Sequence, residues 1–180
     1  MMASTLFLLL LGLVVRILIP MLSYFRWTSA RAEILQAAAL SARYLVGDLQ
    51  RAPFVGVNLA SNDVLSIHGV QDVTDTGRAV WSPRLLVYSH KNDSLTRVEA
   101  PGGAARLLKP PLADLNAFLL DPQHPHKTLV RGLLKQFQLT SRAGPGLLRL
   151  RMVFSLEVPN RPAQTYEHLQ SITLRNGSGQ

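Results

Sequence analysis

Leu6-Phe-Leu-Leu-Leu-Leu-Gly-Leu-Val-Val-Arg-Ile-Leu-Ile-Pro20 is the stretch on which the architecture of this chain turns. With its apolar margins at about Thr5 and Phe25, the run approaches the roughly 20 residues a helix needs to cross a hydrocarbon core. It is apolar on every side rather than along one stripe, which argues against a helix buried in a soluble domain. Two residues interrupt it. Arg16 costs about 2.5 to 3.5 kcal/mol near a bilayer centre, and Pro20 removes a backbone donor. The residues from Leu6 to Leu11 offset much of that cost, at about a few tenths of a kcal/mol each. Arg16 is expected either to snorkel or to meet an acidic partner, and a partnered arginine implies assembly. Met1 to Thr5 contains no Lys or Arg, so a retained anchor is expected rather than a cleaved secretory signal.

Working outward, apolar residues continue from Ala30 to Ala52 but now form a stripe. Ile34, Ala38, Ala42, Leu45 and Leu49 recur at steps of three and four, with Leu35, Ala39 and Val46 widening the stripe. Gln36, Arg43 and Gln50 fall on the opposite face. A helix continuous from about Ser4 to Ala52 is roughly 70 Å long at 1.5 Å per residue, far more than a bilayer requires. Its second half must therefore pack against something outside the membrane. Pro53 marks its end, because the residue before a proline is pushed out of the helical region.

After Pro53 the pattern shortens. Val64 to His68, Leu85 to Ser89 and Leu95 to Val98 read as strands, the last two joined by a hairpin loop at Lys91, Asn92 and Asp93. From Leu148 to Val158 apolar residues alternate with Arg149, Arg151, Val153, Ser155 and Glu157, which is the period of a half-buried antiparallel strand. Val130 to Leu139 and Leu169 to Leu174 are expected to pair with it in one sheet, covered by the helix stripe. Leu112 to Leu120 suits a short helix, while Pro101 to Pro111 and Asp121 to His126 read as loops. The tail from Asn176 reads as frayed. The expected fold is α+β, divided as a transmembrane helix half (1–25), an amphipathic extension (26–52) and a β-rich head (53–180).

The 180 residues carry 19 Lys and Arg against 11 Asp and Glu, a formal net charge of +8. That excess favours acidic surfaces such as phospholipid headgroups, nucleic acid or an acidic protein partner. It is spread along the chain without a dense basic run, and of the possible stacking residues Trp81, Tyr88 and Tyr166 none lies near Arg149 and Arg151 in sequence, which disfavours nucleic acid. With no cysteine there is no disulfide and no thiolate chemistry. No nucleophile elbow, phosphate loop or His-Glu-x-x-His occurs. His124 and His126, with Asp121 nearby, form the one close histidine pair; in a proline-rich loop they read as surface residues, and no metal is assigned. Asp114 and Asp121 are candidate calcium ligands only if further oxygen ligands come from elsewhere in the chain. No cofactor or catalytic residue is expected.

Four features together resemble the type IV filament superfamily, in particular its minor pseudopilins and minor pilins, with the J-type pseudopilin of type II secretion nearest in pattern. These are the apolar helix with Pro20, the helix end Leu45-Val-Gly-Asp-Leu-Gln-Arg-Ala52, the segment Val130-Arg-Gly-Leu-Leu-Lys-Gln-Phe137 before the alternating strand, and Ser171-Ile-Thr-Leu-Arg-Asn176. The resemblance implies a pilin-like fold and a non-enzymatic subunit of a filament tip, a type II secretion pseudopilus or a type IV pilus. It also implies an inner-membrane anchor, a periplasmic head, and other minor pilins or secreted cargo as partners. Arg26 and Arg31 alone, by the positive-inside bias, favour a cytoplasmic head instead. No residue takes the role of the family's docking glutamate. The residues expected to carry assembly are Leu9, Val14, Arg16, Pro20, Ile34, Leu35, Ala38, Ala42, Leu45 and Leu49. A single-pass adaptor of a secretion complex that does not polymerise is the alternative.

Overall fold

The computed structural model describes residues 2–102, 109–141, 146–159 and 161–174. One helix, α1 (Met2–Arg51), runs for 50 residues straight through Pro20, about 75 Å at 1.5 Å per residue. Ala52 and Pro53 end it, and a short 3₁₀ turn at Phe54–Gly56 delivers the chain to the sheets. Gly56 lies so close to the strand beyond it that a Cβ would stand 2.2 Å from the His68 carbonyl oxygen, so only glycine fits.

Two antiparallel sheets follow. The first has the order β1 (Val57–Leu59), β2 (Val64–Val73), β3 (Ala79–Lys91), β4 (Ser94–Pro101) and β5 (His126–Val130). Between β4 and β5 lies α2 (Leu112–Leu120), at the bounds expected from the sequence. The second sheet is β6 (Leu134–Ser141), β7 (Leu147–Leu156) and β8 (Gln164–Thr173). The β3–β4 hairpin turns at Asn92 and Asp93, both at positive φ, a conformation these two residue types tolerate better than most.

The α+β layout expected from the sequence is present, with one long N-terminal apolar helix and antiparallel sheets. The single sheet is not. Val130 to Leu139 is not one strand: Val130 closes the first sheet and Leu134 opens the second, with Gly132 between them at φ +70°. The Leu134 N–H donates to the Asp93 carbonyl, which seats the start of β6 beside the β3–β4 hairpin. His126, expected in a loop, begins β5, and the final strand starts at Gln164 rather than Leu169.

The second half of α1 covers both sheets. Ile34, Ala38, Ala42, Leu45 and Leu49 share a core with Leu65, Ile67 and Leu95 of the first sheet and with Leu148, Leu150, Met152 and Phe154 of the second. On the far side of the first sheet Leu115 of α2 packs on Val64, Leu85, Val87, Val98 and Ala100. The five-stranded sheet is thus enclosed between two helices, whereas β7 turns Arg149 and Arg151 outward from a face that no helix covers among the described residues.

Candidate functional site

The most distinctive surface among the described residues is the first half of α1. Sixteen large apolar side chains from Leu6 to Phe25 stand exposed, Leu9 at 74%. Leaving that many such groups in water forgoes on the order of tens of kcal/mol of burial. This helix is long and apolar enough to cross a membrane. Leu9, Val14, Arg16 and Pro20 all lie in this bare half; Leu9, Arg16 and Pro20, spaced by seven and four, share one side of the helix, and Val14 lies on another.

Of the remaining residues expected to carry assembly, Ile34, Ala38, Ala42, Leu45 and Leu49 are buried against the chain's own sheets, Leu45 and Leu49 completely. They have no surface left to offer a neighbour. Leu35 does the reverse. At 42% exposed it lies outside the core, as does Ala39, so neither widens the buried stripe. Val46 does.

Where the bare half meets the head, two long-range hydrogen bonds form. The Arg161 Nε donates to the Ser23 hydroxyl at 3.1 Å and the Gln164 amide donates to the Trp27 carbonyl at 3.3 Å. A cleft of about 380 Å³ opens beside them, lined by Trp27, Arg31, Leu35, Ala163 and Tyr166 among others. No local sequence signal marks these contacts, which join residues far apart in the chain.

A polar latch holds the other end of α1. Asp48, about one turn from Leu45 and next to Leu49, accepts from the Tyr88 hydroxyl at 2.5 Å and from the Arg97 Nε at 2.8 Å. Arg97 also donates to Glu99 at 2.6 Å, and Glu99 accepts from Arg84 at 3.3 Å. Burial, reinforced by the Asp48 charge, pushes the Tyr88 phenol far above its ordinary range. For Arg97 burial acts to lower the pKa, but the hydrogen bonds to Asp48 and Glu99 outweigh it and the guanidinium is held further up. The Arg97 hydrogen bond in turn holds the Glu99 carboxyl below its usual value, against a smaller opposing effect of burial. Nearer the middle of the helix Lys127 donates to the Tyr44 hydroxyl and lies 4.1 Å from the centre of its ring, which lowers the phenol pKa. Asp48 lies within the helix-end motif Leu45–Ala52, whose sequence alone does not give it this role. A charged residue flanking two buried leucines is the signal that would have found it.

The histidines are occupied structurally. His68, buried, donates from Nε2 to the Ser82 carbonyl, and His90 donates to that of Leu134. His126 donates to the Asp121 carbonyl. His124, taken as a surface residue, is partly covered and meets the Phe118 ring edge-on. Among the described residues no three of His, Asp and Glu are grouped so as to hold a metal ion. Tyr88 is fully buried, so it is not a stacking platform. Arg149 and Arg151 do share the outward face of β7, where Arg151 pairs with Glu167. Arg175 and Asn176, which end one of the family-like motifs, lie outside the described residues, as do the tail that follows and residues 103–108 of the expected loop. The chain matches no family model, no curated protein and no solved structure.

Proposed function

We propose that this chain is a membrane-anchored subunit that acts by assembly: a minor pseudopilin or minor pilin whose N-terminal helix packs at the tip of a type II secretion pseudopilus or a type IV pilus. One observation carries the reading. A single helix leaves every side of its first half bare and lends its second half to two sheets as their spine. Such a rod stores its own solvent problem, and either lipid or neighbouring helices relieve it. The bare half is first held in the inner membrane with the head in the periplasm, and it then exchanges lipid for other stalks. On this reading the head, with Leu35 and the Trp27 cleft at its base, meets other minor subunits or secreted cargo. The buried polar groups named above serve packing rather than catalysis.

The absence of cysteine gives a clean background for cross-linking. Single-cysteine variants Leu9→Cys and Val14→Cys, cross-linked in native membranes and purified through the full chain, are expected to capture other pilin-like chains through their apolar helices. Capture only of proteins that touch the head, with no cross-link at either helix position, would replace the filament subunit with a non-polymerising adaptor. Turnover by the purified chain in a broad activity screen would sink the non-enzymatic reading.

A further inference from the structure

The proposed function places Leu6 to Phe25 in lipid, and the inference here rests on that placement. Arg16 then lies near the middle of the hydrocarbon. Nine residues separate it from Phe25 and eleven from Thr5, which is roughly 14 to 16 Å to either margin at 1.5 Å per residue. Snorkelling, which serves residues near helix ends, does not reach that far. Side chains on a helix also lean toward its N-terminus, here toward the more distant margin. The chain supplies no counter-charge: no Asp or Glu occurs between Met1 and Ala32, and Glu33 lies about 25 Å away along the axis.

The guanidinium is not the only polar group at this level. Proline has no N–H, and in an uninterrupted helix the N–H at position 20 would bond the Arg16 carbonyl. Arg16 therefore brings both a cation and a carbonyl without its helical donor into the same slice of hydrocarbon, where neighbouring helices are what satisfies such groups. One turn toward the N-terminus, on the side over which Arg16 leans, stands Gly12. A Cβ built there would meet nothing within 4 Å, so the helix surface is notched and open. Small residues of this kind let a second helix approach closely. Arg16 and Ile34 are eighteen residues apart, five full turns, so the notch lies on the side of α1 that carries the head.

We propose that Arg16 is the docking point for a second membrane helix that carries an Asp or Glu carboxylate within its own apolar segment and seats against the Gly12 notch. Charge complementarity selects that occupant, since a carboxylate meets a guanidinium through two parallel hydrogen bonds. It also excludes a second copy in register, which would set Arg16 against Arg16 with no acid in either run. Assembly at this depth is heteromeric.

The test uses the full chain in phosphatidylcholine vesicles, labelled with a donor dye at Ser29→Cys. It is combined with an acceptor-labelled Leu-Ala host helix that bears one central Glu or one central Gln. Retention of the chain after an alkaline wash is scored first. The Glu host is expected to associate roughly tenfold more strongly than the Gln host. Arg16→Leu should remain in the vesicles and lose that preference, Arg16→Lys should keep part of it, and Gly12→Leu should weaken association with the charge intact. A chain that resists the wash yet shows no preference for Glu overturns the docking proposal and leaves the membrane reading standing. A chain that washes off overturns both. Energy transfer between two labelled native copies as strong as that with the Glu host would overturn the heteromeric assignment.

Discussion

From Leu6 to Phe25 α1 exposes apolar residues in every direction, whereas from Ile34 to Leu49 the same helix buries them in steps of three and four. The first half is apolar almost throughout, whereas the second carries Arg31, Glu33, Arg43 and Asp48 and gathers its apolar groups on one side of the axis. Uniform coating suits a solvent that is itself apolar, and a stripe suits a folded partner on one side. The Asp48 latch belongs to the second kind, because a charge beside a core leucine is tolerated only where the chain supplies Tyr88 and Arg97 to receive it.

The largest expected effect separates the halves outright. Removing residues 1–25 should shift the protein from the membrane to the soluble fraction, while circular dichroism of the remainder still shows sheet and a cooperative melt. An unfolded product would merge the two regions into one folding unit. A sharper contrast comes from paired truncations in detergent micelles. Leu49→Ala, at a fully buried position, should cost about 2 to 5 kcal/mol in chemical denaturation, while Leu18→Ala in the bare half should stay within about 0.5 kcal/mol. Equal losses would erase the distinction.

The latch predicts the next effect. Arg97→Met leaves Asp48 with only the Tyr88 hydroxyl and Glu99 with only Arg84, and should lower stability by about 1.5 to 3 kcal/mol, read from the same denaturation curves. Glu99 adds a pH dependence of defined sign. Its carboxyl titrates lower in the folded chain than its ordinary 4.5, so it contributes stability above that pH and loses it as the pH falls through the folded-state value. Stability measured from pH 7 downward should therefore fall below about 4.5, and Glu99→Gln should flatten that slope. A native and variant pair with identical slopes would remove Glu99 from the latch. Smallest of all, Ser23→Ala breaks one exposed contact to Arg161 and should change stability by less than about 0.5 kcal/mol.

Elements whose periodicity arises from local burial were legible in the sequence. The second half of α1, the short helix Leu112–Leu120 and the alternating strand β7 all appear about where the sequence puts them, because each presents one face to a core. Sheet membership was not legible. Val130 and Leu134 belong to different sheets although an apolar pattern runs through both, and the division depends on the backbone at Gly132 and on Asp93, distant in sequence. The start of β8 was hidden for another reason. Gln164 to His168 alternates in exposure without alternating in polarity, so an apolar-polar template finds nothing there. In the candidate site the bare and buried halves were both readable from composition, but their junction was not, since Ser23–Arg161 and Trp27–Gln164 are contacts of the finished fold.

The central claim is that one unbroken helix begins in lipid and ends as the spine of the head. Spin labels placed singly along the cysteine-free full chain in bilayers test it most directly, by comparing collisions with oxygen, which partitions into lipid, and with a water-soluble nickel chelate. The account predicts oxygen access and chelate exclusion at every position from Leu8 to Leu22, access to the chelate at Arg43 and Gln50, and protection from both at Ala38 and Leu45. Chelate access throughout Leu8 to Leu22, or a helical alternation of protection there like that from Ile34 to Leu49, would contradict it.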